Sequence, residues 1–274
     1  TKYILKFQPN KSYMEIIINS YLQKFYNSSK YILFPEITYV LKNNSYFYLI
    51  KKYDNDLFKY LNNMKDNLNE KEIFKIIYFV IKAIRFIHSK KIIYGDLKLE
   101  NVIVNLKNGK INEIKLIDFD VSLFEELPEN IEDFNDNIKK LLINKRTRGT
   151  RIYMLKSENM SYKNDVYSLG VFMIILLYKN VLFIINKEKN RLDKNLLVKL
   201  KRKLRNLKNN IEDNDTKKNL SNYLFRVLKN RRFKKYWDNN IVNIEIFRNF
   251  INSCLDLDKS IEELYLYLKI NKFY

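Results

Sequence analysis

The chain has 274 residues, 46% hydrophobic and 15% aromatic, which is enough to bury a large core in one domain or two closely packed lobes and excludes a disordered chain. With 4 Gly and 3 Pro it has no flexible Gly/Ser linker. Its net charge of +20 suits nucleic acid, an anionic membrane or acidic substrates, yet Lys, Asn, Ile and Tyr crowd the whole chain, and that bias alone raises Lys, so these partners are not favoured.

A single cysteine, Cys254, excludes an intramolecular disulfide and a Cys-based zinc site. The N-terminus has no basic region leading into an apolar core, so the chain is read as intracellular, in the cytoplasm or a host-cell cytoplasm. Thr1 in place of Met points to a processed chain or to sequence upstream.

In chain order, residues 3–7, 31–34, 37–41 and 46–51 are short runs rich in β-branched and aromatic residues, and they predict a small sheet. Asn43, Asn44 and Ser45 supply the turn between the last two. Between the first two, residues 13–25 place Met14, Ile17, Ile18, Tyr21, Leu22 and Phe25 at helical spacing behind Ser12 as N-cap. The pattern turns helical at 57–64, and residues 70–88 set Ile73, Ile76, Ile77, Val80, Ile84 and Ile87 on one face. Residues 92–104 and 114–117 return to strand and loop, and helix dominates from Tyr162 onward.

The change from strand to helix near residues 52–56 divides the chain into 1–52 and 53–274. The apolar run over 166–185, broken by Lys179 and Asn180, reads as a buried helix too short to span a bilayer. Residues 125–136 hold six acidic residues and read as a solvated insertion or as a segment folded back on basic surface. In 192–208, Leu196, Leu200, Leu204 and Leu207 share a helical face with Lys201, Arg202, Lys203 and Arg205 largely elsewhere, as in a surface helix packing its Leu stripe.

Phosphoryl transfer needs a carboxylate to orient and deprotonate the attacking hydroxyl, oxygen ligands for Mg²⁺ and a cation on the phosphates. Asp96, Lys98, Asn101 and Asp118 supply that set. Asp with Lys at +2 and Asn at +5 resembles the protein-kinase catalytic loop, and Asp118-Phe119 after Leu116-Ile117 resembles its metal-binding segment. The resemblance continues, in family order, through Ile87-His88-Ser89, Gly149-Thr150 with Tyr153 and Glu158, and the run from Asp165 to Gly170, and covers roughly residues 3–235.

This resemblance implies a bilobal α+β fold, with a reduced N-lobe sheet plus one helix and a mainly helical C-lobe. It also implies ATP with Mg²⁺, or Mn²⁺ in its place, and transfer to Ser/Thr of a protein substrate, since Lys98 two residues after Asp96 is the Ser/Thr-type arrangement. Asp96 and Lys98 become catalytic, and Asn101 and Asp118 hold the metal. Lys6, Glu15, Ile4 and Ile103 contact ATP. Phe119, Glu158, Asp165 and Arg232 are structural, with Arg232 pinning Glu158. The plainer alternatives are a surface lysine at 6 and a solvated helix residue at 15.

The chain also departs from the pattern. No Gly precedes Gly95, so the Gly-rich loop over the phosphates is absent from these residues, and Ile4 stands where a small residue usually faces the adenine. Tyr94-Gly95 replaces His-Arg, which removes the arginine that receives a phosphorylated activation loop and resembles the casein-kinase-like and vaccinia-related branch. Asp120 replaces Gly, as a turn cap in preference to a metal ligand. A pseudokinase acting as a binding or scaffold module, and a small-molecule phosphotransferase, are the competing functions.

Overall fold

The computed structural model describes residues 2–8, 14–41, 45–64, 67–129, 136–144, 146, 148–187, 195, 198–199, 202–203, 205–206, 213–228 and 241–271. The four leucines of the striped segment and Arg232 lie outside these residues, as does the middle of the acidic run.

The N-terminal sheet joins β1 (Tyr3–Gln8), β2 (Ile37–Val40) and β3 (Tyr46–Lys51), all antiparallel, in the order β1-β3-β2. Period-two alternation drives Tyr46 and Tyr48 of β3 into the core, where Tyr48 pairs with Lys6 on one side and Thr38 on the other. The opposite face leaves Leu5, Phe7, Ile37 and Tyr39 exposed. One helix, α1 (Met14–Gln23), crosses the inner face and buries Ile17, Ile18 and Leu22. It ends before Phe25, whose ring instead packs on Tyr21 and lies 3.9 Å below the Lys90 ammonium.

Residues 31–34 do not form the expected strand. After a 3-10 turn at Ser28–Lys30 the chain crosses the end of a C-lobe strand, exchanging hydrogen bonds from Leu33 to Leu116 and from Leu116 to Tyr31 and pressing Ile32 into the core. The β-rich composition of this run thus serves interlobe packing.

Residues 52–54 lead into the C-lobe. There β4 (Asn55–Asp56), α2 (Leu57–Asn63) and α3 (Glu70–Ser89) follow one another. Asn69 and Glu72 form a reciprocal capping box that fixes the start of α3. The six aliphatic residues of its predicted face are fully buried, each contributing roughly 1.5–3 kcal/mol of transfer free energy.

Short strands then carry the segment around Asp96. β5 (Ile92–Ile93) pairs with β8 (Leu123–Phe124), and β6 (Val102–Lys107) with β7 (Lys110–Leu116) through a two-residue Asn108-Gly109 turn, both at positive φ.

After α4 (Asp136–Leu142), the long α5 (Tyr162–Lys187) runs through the lobe, flanked by α6 (Asn214–Leu228) and α7 (Ile241–Asp256), while α8 (Ile261–Ile270) packs on α3. Residues 162–182 are, contrary to expectation, long and apolar enough to cross a membrane, because Lys179 and Asn180 do not interrupt the helix. Yet 89% of that window is buried inside the fold. Buried Asn180 accounts for its own polarity by clamping both backbone groups of Leu68, at 2.8 and 2.9 Å.

Candidate active site

The loop between β5 and β6 is held from below by Asp165, in the first turn of α5. Its fully buried carboxylate accepts from the backbone N–H of Tyr94 at 2.9 Å and of Gly95 at 2.8 Å, and from His88 Nε2 at 2.7 Å. Tyr94 ties this loop to the segment after β7, because its hydroxyl donates to the Ile117 carbonyl and its ring meets that of buried Phe119 edge-on at 5.3 Å.

Gly95 sits at φ +81°, and beside it Gly149 sits at φ +126°, a region that L side chains rarely adopt. A Cβ on Gly149 would meet the Gly95 carbonyl at 2.6 Å, so the two backbones touch directly. The space beside Gly95 is filled by Met160.

The Asp96 carboxylate lies above this contact. One oxygen accepts from Thr150 twice, from its N–H at 2.9 Å and its hydroxyl at 2.8 Å. The other accepts from Lys98 and, at 3.1 Å, from Asn101 Nδ2, while Lys98 also donates to the Thr150 hydroxyl at 3.0 Å. Asn101 Nδ2 also bonds the Asp96 carbonyl, so its amide oxygen is not needed to hold the loop.

A cavity of about 420 Å³ opens between the lobes, lined among others by Ile4, Lys6, Glu15, Ile103 and Asp118. The Lys6 ammonium lies 3.8 Å from Glu15, which is only 4% exposed, so the solvated-helix alternative for Glu15 falls. Burial pushes the Glu15 carboxyl up to about 7, opposed by Lys6 and reinforced by Asp120 and Asp118. Burial likewise raises the phenols of Tyr46 and Tyr48, and the Tyr46 hydroxyl donates to Glu15 at 3.5 Å.

Asp118 occupies φ +70°, a strained position for a non-glycine residue of the kind that clusters at functional sites. Its carboxylate receives the Asp120 N–H at 3.4 Å, so Asp118 caps the turn that carries Asp120.

The structure thus brings Asp96, Lys98 and Asn101 into one network, and Ile4, Lys6, Glu15, Ile103 and Asp118 around one cavity. Phe119 and Asp165 lie beneath them in the core. Glu158 stands apart, exposed at the surface, and Arg232, its expected partner, lies outside the described residues. Sequence reasoning missed the double hydrogen bond of Thr150 and the tyrosine pair behind Glu15. Alternation along β3 carries the signal for that pair, because it sets Tyr46 and Tyr48 on the face opposite Phe47.

The family model described as "Protein kinase domain" matches residues 5–261. The chain belongs to the protein kinase family. Among curated relatives, a serine/threonine-protein kinase sequence of Acanthamoeba polyphaga mimivirus is 29% identical over 63% of this chain and 60% of its own length. Death-associated protein kinase 2 of Homo sapiens is 32% identical over 44% of this chain and 30% of its own. The kinase chain therefore spans less than two thirds of these relatives. A solved structure, of the yeast RNA Pol II CTD kinase CTDK-1 complex, aligns at TM-score 0.48 and 16% identity over 65% of this chain and 55% of that one.

Proposed function

We propose that this kinase transfers the γ-phosphoryl group of ATP to Ser or Thr hydroxyls of a protein, with residues 1–52 as a reduced N-lobe and 53–274 as the C-lobe. The observation that supports this most is the Asp96 network, in which Lys98 and Thr150 hold the carboxylate. Asp96 orients the acceptor hydroxyl and takes its proton, while Lys98 lies beside the phosphoryl group in flight. Lys6, set by Glu15, supplies positive charge at the phosphates, and Ile4 and Ile103 flank the base.

The donor set fits Mg²⁺, since Asp118 offers a carboxylate and Asn101 an amide oxygen, both hard ligands. The bound ion would neutralise charge on the phosphate oxygens.

Incubation with γ-labelled ATP, Mg²⁺ or Mn²⁺ and a generic basic protein tests this reading. Label on Ser and Thr is expected, and label on Tyr alone, or none, overturns it. Small-molecule transfer is the outcome if label appears only on low-molecular-weight acceptors. The pseudokinase reading draws on Ile4, 48% exposed and lining the cleft, and predicts ATP binding without label.

Two further results are expected. ATP at about a hundred times its Kd stabilises the fold by roughly 2.7 kcal/mol, and only with a divalent cation present. Asp118→Ala removes the metal-dependent part of the melting shift; an equal shift in chelator contradicts the metal assignment. Thr150→Val, which deletes the hydroxyl bonded to Asp96 and Lys98, lowers kcat about tenfold or more, as loss of a hydrogen bond to a charged group entails. Thr150→Ser restores it, and an unchanged kcat in the Val variant removes Thr150 from the network.

A further inference from the structure

A second group of oxygens gathers beside the Lys6–Glu15 pair. Carboxylate oxygens of Glu15, Asp118 and Asp120 all lie within 4.8 Å of one another. That is about the span between opposite ligands of a hard cation bound at roughly 2.4 Å. Lys6, at 3.8 Å from Glu15, offsets one of three negative charges.

A second observation comes from α1. Asn19 stands one turn beyond Glu15, lines the same cavity, and is only 6% exposed. Its Oδ1 is buried and has no hydrogen-bond partner among the described residues. A buried amide oxygen is costly unless something meets it. Carboxylates with one amide carbonyl make the oxygen-only shell that hard divalent cations select.

We propose that Glu15, Asp118 and Asp120, with the amide oxygen of Asn19, form a site for a hard divalent cation that fills without nucleotide. The site differs from the nucleotide-bound metal of the proposed function, because it excludes Asn101 and joins α1 directly to the segment after β7. A cation here fastens the helix carrying Glu15 to Asp118 before ATP arrives.

Mn²⁺ binding to the nucleotide-free protein, followed by electron paramagnetic resonance of the free ion, tests the proposal. A single Mn²⁺ per chain is expected, and Asp120→Asn weakens it about tenfold or more. Asn101→Ala leaves this binding intact while weakening the ATP-dependent kind, so failure of the kinase reading shows separately. Absence of Mn²⁺ binding without nucleotide, or equal binding by wild type and Asp120→Asn, overturns the proposal. Should Asp120→Asn fail to fold, Asn19→Asp adds a fourth carboxylate and must tighten Mn²⁺ binding; unchanged or weaker binding also overturns it.

Discussion

Asp96→Asn lowers kcat for phosphoryl transfer by about a hundredfold to ten-thousandfold, the range that a positioned general base contributes, and leaves ATP affinity nearly unchanged. The reason is local. The amide retains an oxygen for Thr150 but cannot take the proton of the attacking hydroxyl, and it places a donor toward Lys98 or Asn101 where an acceptor stood. In the proposed reading the nucleotide is held around Lys6 and Ile103, which line the cavity, and Asp96 is not among the described residues that line it. Single-turnover kinetics with a separate measurement of ATP binding checks both parts. Lost ATP affinity with unchanged turnover would contradict the assignment.

Asp165→Ala acts on stability rather than chemistry. It strands the N–H groups of Tyr94 and Gly95 and the ring of His88 in a site with no solvent, and breaking a buried charged cluster of this kind costs roughly 3–5 kcal/mol. For a chain of this size each kcal/mol lowers Tm by about 2–4 °C, so a fall on the order of 10 °C is expected by calorimetry. Asp165→Asn retains one acceptor oxygen and lies between. A Tm within about 1 °C of wild type for the Ala variant would show that Asp165 does not hold the loop.

The two predictions read different information from the same sequence. Asp96, Lys98, Asn101 and Asp118 were legible because the chemistry fixes their types and their spacing along one short segment, and Asp165 because the run it opens resembles the start of the family's central helix. The face of α3 was legible for a different reason, its 3.6-residue period.

What stayed hidden depends on distant parts of the chain meeting. Residues 31–34 have strand composition, but their partner is Leu116, far along the sequence, so the local pattern named the wrong element. Glu15 stood out in the sequence as a candidate site residue, but its burial against Tyr46 and Lys6 depends on the sheet and α1 meeting. Asn108-Gly109 is the opposite case, since that dipeptide alone signals the hairpin between β6 and β7.

The contact between Gly95 and Gly149 bears on how this kinase can change over generations. An arginine at 95 would have to adopt φ +81° and displace Met160, and any side chain at 149 collides with the carbonyl of Gly95. A lineage with this pairing therefore meets backbone strain at its first step toward an arginine at 95, in the loop that carries Asp96.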